Sequence, residues 1–181
     1  MAALVLPGPR WLGSYLDGCR EYREHGVHTY TLHDSDAFDT WKDTIFETFA
    51  CNRRGEGLRP GYVPCTILWL VEGETWLGMA SLRHSLTPAL ERFGGHIGYA
   101  VRWSRWGEGF GTAILHGSLA EARKLDICSA RVTCDEANTG SRRVIEKNGG
   151  VLLDIIDNTV DGVYHRTRRY DVPTGQPEQH P

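Results

Sequence analysis

Apolar positions change their spacing from stretch to stretch along this chain, and the spacing predicts the elements. Residues 2–6 form a short apolar run closed by Pro7, Gly8 and Pro9, which suits a strand and its exit turn. Leu12, Tyr15, Leu16, Cys19 and Tyr22 then fall three and four apart, so they share one face of a helix that Gly26 is placed to end. Residues 28–33 read as extended. Asp34 or Ser35 can cap a second helix, with Phe38, Trp41, Ile45 and Phe49 as its buried stripe. Residues 53–64 hold three glycines and two prolines and read as a long loop. Residues 65–71 and 75–83 are two strands joined at Glu72, Gly73 and Glu74, and residues 86–95 form a second loop around Pro88.

A further strand at residues 96–102 stops at a polar pair and gives way to a turn containing Gly107, Gly109 and Gly111. The turn opens a helix whose apolar positions are Ile114, Leu115, Leu119, Ala122 and Leu125. Another strand at 128–134, a last helix and two closing strands at 151–156 and 163–170, around a loop at 158–162, complete the order. Strand, two helices, three strands, helix, strand, helix and two strands make a mixed α/β sheet.

Length and composition narrow the picture. A chain of 181 residues that is 40% hydrophobic buries one good core, so a single domain over residues 1–173 is expected, followed by a polar, disordered tail at 174–181. The net charge is −3, and 17 of the 20 basic residues are scattered arginines rather than a basic face, which argues against nucleic acid as the partner. No apolar run approaches the ~20 residues of a membrane span, and the first residues lack the pattern of a secretion signal, so the expected compartment is the cytoplasm. Cysteines at 19, 51, 65, 128 and 134 form no close pair and read as reduced thiols. The eight histidines lack zinc spacing, so no metal is expected.

The glycine turn is the stretch with the clearest chemistry. Three glycines at alternate positions let backbone bend tightly and approach a ligand, and the positive end of the helix dipole lies behind them, so their N–H groups can converge on phosphate oxygens. A nicotinamide-binding loop fails on spacing, because Gly107, Gly109 and Gly111 leave the third place of the dinucleotide fingerprint without glycine.

Two separated pieces match a known pattern in order and distance: the strand and loop from His96 to Thr112, and the segment Asp135, Glu136, Ala137, Asn138, Thr139, Gly140, Ser141 up to Gly150. Together they resemble the acyl-CoA-binding core of the GCN5-related N-acetyltransferase (GNAT) superfamily, and runs around Tyr62, Trp69, His84 and Gly94 extend the similarity to a bacterial branch of acetyltransferases. The resemblance implies a single-domain GNAT-like fold, with a mainly antiparallel sheet splayed at the acyl-CoA site and helices on both faces. It implies that acetyl-CoA is the co-substrate, its pyrophosphate held by Trp106, Gly107, Gly109, Phe110, Gly111 and Thr112. The pantetheine arm would pair with backbone at Tyr99, Ala100 and Val101, where a bulge leaves groups unpaired, and the Val101 N–H could polarise the acyl carbonyl. Asn138 and Ser141 would lie against the pantetheine or acyl end.

The chain also departs from the family pattern. Trp106 and Glu108 stand where arginine or glutamine and lysine are usual, so positive charge is subtracted from the cradle unless Arg105 swings in. The tyrosine that often protonates the departing thiolate falls on Ile145; Cys134, Tyr99, Tyr164 or a water could substitute. An acceptor amine must lose a proton, and His84 and His96 are the candidate bases, with Glu91 a weaker third. Strand parity argues that His96 points away. The expected function is acetyl transfer from acetyl-CoA to a primary amine of a small molecule, amino acid or peptide, by direct attack in a ternary complex. The alternative is a degenerate fold that binds acyl-CoA or a protein partner without turnover. Loops 53–64 and 86–95 would shape the acceptor site, and exposed aromatics on the closing strands would permit a homodimer.

Overall fold

The computed structural model describes residues 1–27, 38–160 and 162–175. Strand β1 (Ala3–Val5) is followed by a 3-10 turn at Pro9–Trp11 and helix α1 (Leu12–Glu24). Two short helices, α2 (Phe38–Trp41) and α3 (Ile45–Arg54), replace the single second helix expected from the stripe; Ile45 and Phe49 are nevertheless buried. The expected extension at 28–33 and the caps Asp34 and Ser35 lie outside the described residues. Strands β2 (Cys65–Glu72) and β3 (Thr75–Arg83) form the expected hairpin. The expected loop at 86–95 contains a short helix α4 (Pro88–Arg92). Pro88 opens it and the Thr87 side chain accepts a bond from the Leu90 N–H, a proline-and-threonine start that favours a helical turn.

The order then runs β4 (Ile97–Val101), α5 (Phe110–Arg123), β5 (Ser129–Asp135), α6 (Thr139–Lys147), β6 (Val151–Val160) and β7 (Val163–Pro173). The last strand is longer than its apolar run, and Thr174 beyond it is buried, its hydroxyl bonded to the Ile127 and Cys128 carbonyls. The strands form two sheets, ordered β1-β2-β3-β4 and β5-β7-β6, with every pairing inside them antiparallel.

Helices cover both faces because β2 and β3 are apolar on both. On one face Leu70, Leu77, Ala80 and Leu82 pack against Ile114, Leu115, Leu119 and Ala122 of α5 and reach Val132, Ile145 and Tyr170. On the other, Trp69, Val71, Trp76 and Met79 pack against Tyr15, Cys19 and Tyr22 of α1 and Ile45 and Phe49 of α3. Tyr15 stacks on Trp69 at 4.7 Å and meets Trp76 edge-on at 5.3 Å. Gly18 makes that closeness feasible, since a Cβ there would lie 2.4 Å from the Trp76 ring. Large aromatic burial of this kind dominates core energetics.

The two sheets meet at His96. Its N–H donates to the Arg131 carbonyl at 2.7 Å, and its Nδ1 accepts from the Arg131 N–H at 2.9 Å. Gly95 just before it has φ +60°, and a Cβ there would sit 2.4 Å from the Arg131 oxygen. Beyond this bridge β4 has β3 on one edge and, among the described residues, no strand on the other. A cleft opens there between the sheets.

Candidate active site

Backbone alternation decides what β4 offers to the cleft. The Arg83 N–H donates to the His96 carbonyl and the Arg102 N–H to the Leu77 carbonyl, so Gly98, Ala100 and Arg102 turn their polar groups toward β3. Tyr99 and Val101 turn theirs toward the cleft. The β3–β4 register runs from Leu82 opposite Ile97 to Gly78 opposite Val101 with no bulge. Groups are free because β4 is an edge here, which corrects the expectation of a bulge. One of the four is already taken: the Val101 carbonyl accepts from the Tyr22 hydroxyl and, at 2.8 Å, from the Trp106 indole. Among the described residues nothing pairs with the N–H and C=O of Tyr99 or the N–H of Val101.

The glycine turn supplies the next wall. Gly107 and Gly109 have φ of +84° and +88° with open space where a Cβ would stand, so glycine serves the left-handed backbone there and nothing else. Gly109 caps α5, whose first N–H groups meet no capping side chain and point out of a 14-residue helix. Gly111 serves packing instead: a Cβ would touch Val144 at 3.1 Å, Val101 at 3.5 Å and Tyr99 at 3.8 Å. Close approach of α5 to both β4 and α6 closes the cleft at this end.

All of the predicted cofactor positions fall together. Tyr99, Ala100, Val101, Trp106, Gly107, Gly109, Phe110, Gly111, Thr112, Asn138 and Ser141 line one cavity of about 720 Å³, joined by Tyr22 and Val27. Asn138 caps α6 by accepting the Ser141 N–H at 2.9 Å, which leaves its amide hydrogens free. Trp106 is half exposed, with its ring set against Tyr22 and Trp103. Trp103 in turn stacks on His25 at 3.4 Å, so its face is occupied by packing.

Charge is placed where the sequence did not point. Arg105 does not swing free; it holds Glu108 through two bonds of 2.8 Å, and the pair nearly cancels. The open positive charge comes from Arg143 and Lys147, which stand four residues apart on α6 and line the same cavity. That i, i+4 spacing was the available signal.

Among the candidate proton carriers, Tyr99 alone is in the cavity. Its hydroxyl meets the Ser141 hydroxyl at 2.8 Å, and burial pushes its pKa well above that of an exposed tyrosine. Cys134 is buried in the core, its thiol pushed up to about 11 by burial. Tyr164 is exposed and bonded to Asp157 on the closing hairpin. Ile145 fills the core.

Neither histidine reaches this cavity. His84 lines a second one of about 510 Å³, with Leu68, Leu82 and Arg53, and its Nε2 meets the Thr66 hydroxyl at 2.8 Å. Burial, then the Arg53 charge, lowers its pKa. His96 is the inter-sheet bridge, with its Nδ1 committed to Arg131 and its pKa lowered chiefly by burial. Glu91 is exposed on α4, where its carbonyl accepts from Arg169. Among the described residues no group of three or more potential ligands could hold a metal, and no helix is long and apolar enough to cross a membrane.

The architecture is shared with solved acetyltransferases. RimJ from Mycobacterium smegmatis, solved with a CoA disulfide, superposes with a TM-score of 0.73 at 17% identity, over 98% of this chain and 84% of that one. A ribosomal-protein-S5-alanine acetyltransferase from Vibrio fischeri gives 0.70 at 11% identity, covering 97% and 94%. The microcin C7 self-immunity acetyltransferase, solved with acetyl-CoA and AMP, gives 0.68 at 15% identity, covering 95% and 92%. At these identities the likeness is one of fold. A search of curated protein sequences finds no match. Residues 19–151 match the family model described as an acetyltransferase (GNAT) domain, which spans most of the chain, and the protein belongs to this family of acyltransferases.

Proposed function

We propose that the cavity takes acetyl-CoA and that the chain transfers its acetyl group to a primary amine of a small molecule, amino acid or peptide, by direct attack in a ternary complex. The open edge of β4 beside the glycine cradle carries this reading. Amide-bearing pantetheine needs unpaired backbone, and the Tyr99 and Val101 groups supply it at the end of a positively lined cleft. The first N–H groups of α5, with Arg143 and Lys147, suit the phosphates. Acetyl-CoA brings the activated thioester. The free N–H groups of Tyr99 and Val101 can draw charge from an acyl oxygen placed against them, a contribution of about 3 kcal/mol for one well-aimed donor. The Tyr99 hydroxyl, kept protonated by burial, is positioned to give a proton to a thiolate and recover it through Ser141. No histidine among the described residues lines the cavity, so His84 and His96 are assigned to structure, and the acceptor releases its proton toward solvent.

A second reading, binding without turnover, draws on the Arg105–Glu108 pair, which removes a cation from the cradle. Calorimetric titration with acetyl-CoA, followed by thiol release with a panel of amines, separates the two. Binding at micromolar strength with acceptor-dependent thiol release supports transfer; binding without release supports the second reading; absence of binding overturns transfer and leaves the second reading only in the form of a fold that binds a protein partner. The exposed Val151, Leu153, Val163 and Tyr164 on β6 and β7 are the surface a homodimer would use, and sedimentation tests it.

A further inference from the structure

Arg83, the last residue of β3, is a cation in an unusual position. Its neighbour Leu82 belongs to the α5-side core, so Arg83 and Ser81 point to the opposite face, beside Gly98 of β4. The guanidinium is largely withdrawn from solvent, and burial lowers its pKa. No carboxylate among the described residues pairs with it. Among the described residues the ionisable groups that act on it are Cys65, whose thiol burial pushes up to about 11 and which therefore stays neutral, and His96, whose pKa is lowered chiefly by burial. Nη1 donates to the carbonyls of Gly94 and Gly95, at 3.2 and 3.1 Å. Nε and Nη2 make no hydrogen bond among the described residues, and neither is sealed from solvent. Two carbonyls hold the group in place without neutralising it, and a buried cation without a counter-ion is costly.

Two neighbours of Arg83, Gly94 and Gly98, carry no side chain. At Gly98 a Cβ would lie 3.8 and 4.0 Å from the two terminal nitrogens, and at Gly94 it would lie 3.7 Å from Cζ. Gly98 directly precedes Tyr99, whose N–H opens on the cleft, and one residue step along a strand is about 3.4 Å. We infer that Arg83 binds the carboxylate of the acceptor, and that the acceptor is a free amino acid whose amine lies a few ångströms from its carboxylate. The inference rests on the acetyl-transfer reading above and selects among the acceptors it leaves open. A guanidinium with two donors in a planar fork matches a carboxylate better than any neutral group. A peptide would lack this contact, because its first carboxyl is an amide.

The test compares L-amino acids with the matching amino-acid amides, using thiol release by the full chain and calorimetry of each compound against protein saturated with coenzyme A. Free acids should exceed their amides in kcat/KM by about tenfold or more, with the difference in KM. Arg83→Gln should bring the acids down to the level of the amides, while acetyl-CoA binding stays within about twofold. Arg83→Lys, which keeps the charge, should retain part of the preference and guards against misreading a folding defect. Equal use of acids and amides by the natural chain overturns the inference, as does a preference that survives Arg83→Gln. Failure of every free acid to bind or react, with acetyl-CoA bound, also overturns it. Failure of acetyl-CoA itself to bind overturns the acetyl-transfer reading instead.

Discussion

Gly109→Ala separates the two uses to which a left-handed glycine can be put. The residue sits at φ +88° with no atom within 4 Å of the place a Cβ would take, so the substitution introduces no clash. Its whole cost is the backbone conformation, about 1–2 kcal/mol for a residue with a side chain. If the loop keeps its shape, that cost appears as lost stability, about 2–8 °C in Tm for a chain of this size. If the loop relaxes, the α5 N–H groups turn away from the phosphates. Each lost bond to a charged acceptor is then worth about 1.5–3 kcal/mol, or about ten- to a hundredfold in Kd. Gly73→Ala is the control, since Gly73 has φ +58° and open space but lies in the β2–β3 turn. Gly73→Ala should lose stability and leave acetyl-CoA binding unchanged, measured by thermal unfolding and calorimetric titration. For Gly109→Ala the two readouts should trade: Tm falls with affinity kept where the loop holds its shape, and affinity falls with Tm kept where it relaxes. A Gly109→Ala protein with both the Tm and the acetyl-CoA affinity of the natural chain would refute the assignment of this turn as the phosphate cradle.

Three further outcomes follow from the geometry. Tyr99→Phe removes the hydroxyl bonded to Ser141 and should lower turnover by about 10²–10⁴-fold with acetyl-CoA affinity little changed; unaltered turnover in a stopped assay of thiol release would remove Tyr99 from the chemistry. Arg143→Ala and Lys147→Ala should each weaken acetyl-CoA and flatten the dependence of its Kd on salt, and a slope identical to the natural chain's would mean these charges face solvent only. His96 has a pKa lowered by burial from its ordinary 6.5, so the folded state resists a proton that the unfolded chain accepts. Stability from this group is full above pH 6.5 and is lost as pH falls from there toward the lower folded value. Denaturant unfolding at about pH 7.5 and about pH 5.5, on either side of the ordinary value, should show a smaller drop for His96→Gln than for the natural chain, and an equal drop would assign the loss elsewhere.

The sequence made the glycine turn readable because its demands are local. A turn that needs φ above zero selects glycine whatever surrounds it, so Gly107 and Gly109 carry their meaning alone. Alternating and helical spacings likewise marked out β2, β3, α1 and α5, since a buried face must repeat with its element's period. What stayed hidden depends on tertiary neighbours. His96 looked like a base at a strand end, but Gly95 lets the chain come against the Arg131 backbone, and the imidazole is consumed in joining two sheets. His84 and Arg83 are adjacent in sequence, yet strand alternation sends one to each face of the sheet. No spacing rule reveals which face the acceptor approaches. Lys42, Asp43 and Thr44 interrupt a stripe that by periodicity alone should have been one helix.

The departures at Trp106 and Glu108 acquire a physical reading once α6 is in view. Taken alone they subtract an amide or cationic donor from the loop and add a carboxylate, which argues for a weakened cradle. In the folded chain Glu108 spends its charge on Arg105, while Trp106 directs its only polar group back to the Val101 carbonyl. That bond, with the one from Tyr22, fixes the end of β4 and leaves the Tyr99 and Val101 donors facing the cleft. On the acetyl-CoA reading proposed above, the loop shapes backbone instead of offering side chains to phosphate, and Arg143 and Lys147 of α6 line the same cavity. Phosphate recognition by helix N–H groups needs no side chain from the loop at all. A cradle so arranged should depend on salt through α6 and on conformation through Gly109, and the two sensitivities are separable because one rests on side-chain charge and the other on backbone shape.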